Sequence, residues 1–143
     1  MGKAIFDQID IVARDMAASL AFYQLAGVEM RDPIPEGAPP HHVHADQPAE
    51  GADLEFDSHA LARVYNQGFD PKRARAVIGL KLEGRQEVDE AFERLILAGH
   101  RGLQVPYDAF WGARYAIVED PDGNPVGLMS PLDPTRRSAP QGL

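Results

Sequence analysis

The chain has 143 residues, 14 Lys+Arg against 22 Asp+Glu for a formal net charge of −8, and 44% hydrophobic residues. That is the make-up of one ordinary globular domain, and its acidic balance works against binding a phosphate backbone, so no nucleic-acid partner is expected. With no cysteine, a disulfide framework, a thiolate-held metal, an iron–sulfur cluster and a thiol nucleophile are all excluded.

From the N-terminus, Ile9, Ile11 and Ala13 alternate with Gln8, Asp10 and Val12, the period-two pattern of a strand packed on one face. Asp15 is placed to cap a helix carrying Met16, Leu20 and Tyr23 at helical spacing, with Gly27 as its left-handed stop. Short strands are predicted at Val28–Arg31, His41–Ala45 and Ala52–Asp57, separated by Pro/Gly-rich turns, and then a short helix from Ser58 to Asn66. Ile78, Leu80 and Leu82 alternate with Val77, Gly79 and Lys81, and after the turn Glu83–Gln86 a helical stripe of Val88, Phe92 and Leu95 ends at Gly99. Strands follow at Leu103–Val105, Ala113–Glu119 and Pro125–Ser130, the last two joined by the tight turn Asp120–Asn124. Beyond Ser130 the proline-rich tail has little to bury and is expected to fray.

The two halves echo each other. The helix stops Gly27 and Gly99 lie 72 residues apart, and the strand ends Ala13 and Leu82 lie 69 apart. Repeated units of this kind bury their faces against each other. The reading is an α+β fold of two tandem βαβββ modules forming a curved, open mixed β-sheet cleft, one compact domain overall. Residues 1–66 form the first module with its bridging helix, 67–75 a linker, 76–131 the second module and 132–143 a C-terminal tail.

The duplication, the helix motif Asp15-Met16-x-x-Ser19-Leu20-x-Phe22-Tyr23 and the turn Asp120-Pro121-Asp122-Gly123-Asn124 resemble the vicinal oxygen chelate superfamily, which contains glyoxalase I, bleomycin-resistance proteins and extradiol dioxygenases. The stretch Tyr107–Gly112 is similar to a loop of the bleomycin-resistance-like members. Metal-dependent members hold an ion with four residues on the concave sheet. Position by position, the resemblance puts these at Gln8, Glu55, Val77 and Gly127. Val77 and Gly127 carry no donor atom, and two oxygen donors hold a cation weakly. No cofactor is therefore expected, a divalent metal being the disfavoured option.

The resulting expectation is a metal-independent protein that sequesters a planar or cationic organic ligand such as an antibiotic. Ligand-binding candidates are Gln8, Asp10, Glu55, Lys81, Tyr107, Phe110, Trp111, Tyr115 and Met129, the rings offering stacking surfaces. Asp10 pairs with Lys81 across the cleft in this reading, and Gly79 and Gly127 mark close approach by a ligand or another backbone. The alternative is a metal-dependent lyase (lactoylglutathione-lyase-like), isomerase or dioxygenase with Gln8, Asp10 and Glu55 as catalytic candidates. His42 and His44 share one strand face that could present two imidazoles together, but with His41 they lie among loop-like residues and read first as a solvated hairpin, with ligand contact or an adventitious metal as the alternative; His59 reads as a cap or surface residue and His100 as exposed. No uncharged run approaches the ~18 residues of a bilayer span, and Asp7 and Asp10 interrupt the start before an export segment forms. A cytoplasmic protein without a membrane partner is expected, and exposed sheet edges together with the resemblance imply a homodimer.

Overall fold

The computed structural model describes residues 2–25, 28–73, 76–120 and 122–143. The Gly27 stop, the last two linker residues and Pro121 of the turn lie outside the described residues. In chain order the elements are β1 (Ile5–Ala13), α1 (Met16–Leu25), β2 (His42–His44), β3 (Asp53–Ser58), α2 (His59–Tyr65), β4 (Ala76–Lys81), α3 (Arg85–Leu97), β5 (Gly102–Asp108), β6 (Arg114–Glu119) and β7 (Pro125–Met129). The seven strands form one mixed sheet in the order β2-β3-β1-β4-β7-β6-β5.

The echo in the sequence is an echo in hydrogen bonding. β1 and β3 run parallel, with Ile9 opposite Leu54 and Ile11 opposite Phe56. β4 and β7 also run parallel, with Ile78 opposite Val126 and Leu80 opposite Leu128. The pairing thus repeats with a shift of 69 on one strand and 72 on the other. β1 and β4 join the halves by antiparallel pairing at the sheet centre.

Alternation then sorts the side chains. Ile11, Ala13, Val43 and Phe56 meet Met16 and Leu20 of α1 on one face, and Leu80, Ala116 and Leu128 meet Val88 and Ala91 of α3 on the same side of the other half. The opposite, concave face of β6 and β7 is covered by Leu61, Ala62 and Tyr65 of α2 and by Ala109 and Ala113, which bury Tyr115, Ile117 and Met129. Ser58 Oγ accepts from Leu61 N, so a side-chain cap starts α2 where β3 ends.

Three expectations change. The strand at Val28–Arg31 reduces to a single bridge between Met30 and Ala45, flanked by bonds from Arg31 N to His44 O and from Asp46 N to Glu29 O, and Pro33 and Pro35, which lack N–H donors, follow it. β5 is longer than expected, running from Gly102 to Asp108. The tail is tied down: Asp133 N donates to Gly112 O and Ser138 N to Phe110 O, at 3.0 and 2.9 Å, and Asp133 caps a 3₁₀ turn at Pro134–Arg136.

Candidate metal centre

Paired residues of neighbouring strands point to the same side of a sheet. β1 and β3 place Asp10 beside Glu55 and Val12 beside Asp57, and β2 and β3 place His44 beside Glu55 and His42 beside Asp57. Two imidazoles and three carboxyls therefore share the concave side of the first half, while Val43 and Phe56 between them turn to α1. Asp10, Glu55 and Asp57 are buried at 5%, 8% and 3% exposure, a burial that ionised groups tolerate only when partnered.

Their partners are specific. His42 Nδ1 lies 2.5 Å from Asp57 Oδ1, and His44 Nδ1 lies 2.7 Å from Asp32 Oδ2. A carboxylate accepts, so each Nδ1 carries the proton and, in the neutral ring, each Nε2 presents a bare lone pair. The two Nε2 atoms are 3.1 Å apart. Glu55 Oε1 is 2.8 Å from His44 Nε2 and 3.8 Å from His42 Nε2. Three acceptors converging in this way repel unless positive charge sits among them. Bonds of about 2.1 Å from a divalent ion to N and O donors put neighbouring donors about 3.0–3.4 Å apart; the 3.1 Å separation falls in that range, and the 2.8 and 3.8 Å separations come within it by small side-chain shifts. The Nδ1–carboxylate bonds are the orienting contacts that metal-bound histidines use.

The titration behaviour follows from the same contacts. Burial opposes the charged form of His42, but its bond to Asp57 outweighs that and its pKa is raised; His44 is raised first by its bond to Glu55. Burial alone would raise Glu55, yet hydrogen bonds from His44 and Asp10 and the two ring charges hold it at about 2. Asp10 moves the other way, well above the usual carboxylate range, because it is buried beside Asp57 and Glu55. Asp10 is the proton-bearing member of the Asp10–Glu55 pair. Glu55, Asp57 and Asp32, when ionised, then carry three negative charges around the two rings, which two imidazolium protons or one divalent cation offset in part.

The four positions implied by the resemblance do not fit an ion. Gln8 turns its amide to Asp10, with Nε2 donating at 3.0 and 3.2 Å. Val77 is buried without a donor atom. A Cβ on Gly127 would lie 2.8 Å from the Tyr115 hydroxyl, so that ring fills the space over the strand. Only Glu55 of the four serves the cluster found here. The hairpin is there and His42 on it is exposed, but the rings are not simply solvated: both are held by carboxylates, at 36% and 26% side-chain exposure. His41 is exposed and bonds Ser58 Oγ at 2.8 Å instead. His59 opens α2 with its ring edge on Phe69, and His100 is half-buried rather than exposed.

The Asp10–Lys81 pair is also corrected. Register sets Val77, not Lys81, opposite Asp10, and Lys81 Nζ bonds Asp7 Oδ1 at 3.0 Å. What approaches Gly79 is the Gln8 side chain, whose Cγ would lie 2.5 Å from an added Cβ. The aromatic candidates pack edge-on against one another. Trp111 lies 5.0 Å from both Phe110 and Tyr115, and Tyr107 lies 6.3 Å from Tyr115, ring centre to ring centre. Trp111 Nε1 donates to Met129 Sδ at 3.3 Å. The end of the face holds a cavity of ≈ 70 Å³ lined by Val12, Tyr65, Asn66, Val77 and Leu103 among others, and a cavity of ≈ 280 Å³ opens at Arg14, Pro39, His41, Ser58 and His59; organic-ligand sites run to about 300–1,000 Å³. Asp32, Asp57 and Tyr65 were not singled out by sequence reasoning; the available signal was His-x-His facing Glu-x-Asp across a hairpin.

The sequence matches the Glyoxalase/Bleomycin resistance protein/Dioxygenase superfamily over residues 5–128. The chain belongs to that superfamily. No curated protein sequence matches it. Solved structures of the superfamily share its fold. A member from Vibrio splendidus 12B01 has a TM-score of 0.57 at 11% identity, covering 92% of this chain and 100% of that one. The 2,3-dioxygenase LapB from Pseudomonas sp. KL28 has a TM-score of 0.60 at 14% identity, over 90% of this chain and 42% of that one. A Mn(II)-bound glyoxalase from Novosphingobium aromaticivorans also has 0.60, at 17% identity, over 100% of this chain and 43% of that one. These likenesses establish the fold. Among the described residues no helix is long and apolar enough to cross a membrane.

Proposed function

We propose that this protein is a divalent-metal-dependent member of its superfamily that acts on a small organic molecule, with the ion held by His42 Nε2, His44 Nε2 and Glu55 Oε1. The observation that carries the reading is the convergence of these three lone-pair donors within 3.8 Å of one another, each imidazole being oriented by a carboxylate on its other nitrogen. Two histidines and one carboxylate suit zinc or iron(II), and three protein ligands leave positions open for water or substrate. When bound, such an ion polarises a ligand oxygen or acidifies a bound water. The chain's own residues do the rest: Asp57 and Asp32 fix the rings, Asp10 holds a proton against Glu55, and Gln8 holds Asp10. That a structural relative is named as Mn(II)-bound supports the chemistry in kind, although this chain lacks donors at Val77 and Gly127.

A second reading, metal-independent sequestration of an organic guest, is favoured by that same lack of donors. Titration calorimetry of chelator-stripped protein with zinc(II) and manganese(II) separates the two. The metal reading expects saturable binding of one ion per chain, with affinity at least about tenfold lower in Glu55→Gln. Absence of saturable binding in the wild type leaves sequestration as the account.

A further inference from the structure

Tyr65 touches none of the three donor atoms, yet it is bonded into their support. Its hydroxyl donates to Asp57 Oδ2 at 3.1 Å, while Asp57 Oδ1 bonds His42 Nδ1 at 2.5 Å. Asp57 is thereby held at both oxygens, and its carboxyl cannot rotate away from His42 without giving up one bond. At 4% exposure for Tyr65 and 3% for Asp57, water does not stand ready to replace either contact. Tyr65 is itself fixed by the second half of the chain. Its ring meets Trp111 and Tyr115 edge-on at centroid distances of 6.2 and 6.0 Å, whereas the Tyr107 hydroxyl donates to its backbone carbonyl, at 3.3 Å, and does not hold the side chain.

We infer that Tyr65 is a positioning residue of the metal centre: through Asp57 it sets the orientation of His42, and it ties the ion's site to the aromatic packing of the second half. The inference rests on the metal reading above. Substituting an outer partner of a metal-bound histidine typically costs 10–100-fold in metal affinity, and Tyr65 stands one bond further out, so a loss of about 3- to 10-fold is expected. Trp111, the single tryptophan of the chain, lies against Tyr65 and serves as a built-in reporter.

The test uses the full chain, stripped of metal, titrated with cobalt(II) by visible absorption and with zinc(II) by Trp111 emission. Wild type is compared with Tyr65→Phe and with Tyr107→Phe. The latter removes a hydroxyl from the same aromatic group, but one bonded to a carbonyl rather than to Asp57. Tyr65→Phe is expected to weaken cobalt binding about 3- to 10-fold, shift the cobalt bands and abolish the zinc-induced emission change, whereas Tyr107→Phe leaves all three as in the wild type. Unchanged affinity and bands in a folded Tyr65→Phe overturn the inference alone, with the metal reading intact. Equal losses in both variants also overturn it, since they would report general packing. The wild type gives an arm that needs no substitution: zinc binding that saturates without altering Trp111 emission contradicts the link. Failure of the wild type to bind either ion removes the metal reading, and this inference with it.

Discussion

The two hairpins β2–β3 and β6–β7 have the same register, so His42, His44, Glu55 and Asp57 in the first correspond to Tyr115, Ile117, Gly127 and Met129 in the second. One backbone pattern thus carries opposite chemistry on its concave face. In the second half large apolar groups fill the face, and Tyr115 lies over the bare Gly127. In the first half the equivalent space holds buried acids and imidazoles, an arrangement that costs desolvation and returns little net stability. Duplication fixes where side chains point, and the residue types then decide whether a face stabilises or binds.

Substitutions on the two faces should therefore differ in kind. Ile117 is fully buried, and Ile117→Ala is expected to lower unfolding free energy by about 2–5 kcal/mol, measured by urea denaturation, with metal affinity per folded molecule unchanged. At the matched face, Glu55→Gln keeps the shape and an acceptor. It should lower zinc affinity by 10–100-fold or more, roughly 1.4–2.7 kcal/mol, while the Tm of the metal-free protein moves far less than in Ile117→Ala. A variant pair with these two effects exchanged would break the comparison.

The polar face should also make stability depend on pH. His42 and His44 have raised folded pKa values, so their contribution is complete below the ordinary value of 6.5 and is lost as pH rises through the folded values. Asp10, raised by burial, acts in the same direction from 3.8 upward. Glu55, held at about 2, acts oppositely, its contribution being lost as pH falls below 4.5. The metal-free protein is thus expected to be less stable at about pH 8.5 than at about pH 5.5, by up to about 1.4 kcal/mol per pH unit for each proton involved. Saturating zinc should remove most of that difference, because the ion takes the place of the protons; urea midpoints at the two pH values, with and without zinc, measure it. The smallest effect is expected at the half-buried Lys81–Asp7 pair, which lies outside the cluster: Lys81→Ala should cost no more than about 1 kcal/mol by urea denaturation and leave zinc binding alone.

Much of the fold was legible because it rests on local periodicity. The alternation at Gln8–Ala13 and Val77–Leu82 and the 69-residue shift between them reappear directly as ladder register. The site was less legible because it depends on which strand a hairpin returns beside. His42 and His44 gain meaning only when β3 brings Glu55 and Asp57 alongside, and nothing local to Pro39–Pro48 reveals that pairing. Asp32 lies further away still, on the segment that Met30 anchors through its bridge to Ala45. The Asp10–Lys81 expectation failed for a related reason, since equivalence under duplication differs from adjacency in the antiparallel ladder joining β1 to β4. The aromatic residues were recognised as a group, but their edge-on packing against α2 is a tertiary outcome.

The most direct test is anomalous X-ray diffraction from crystals grown with zinc(II). The account predicts one strong anomalous peak within bonding distance of His42 Nε2, His44 Nε2 and Glu55. A peak held instead by Gln8 and Glu55, or no peak on the concave face at saturating zinc, would contradict it.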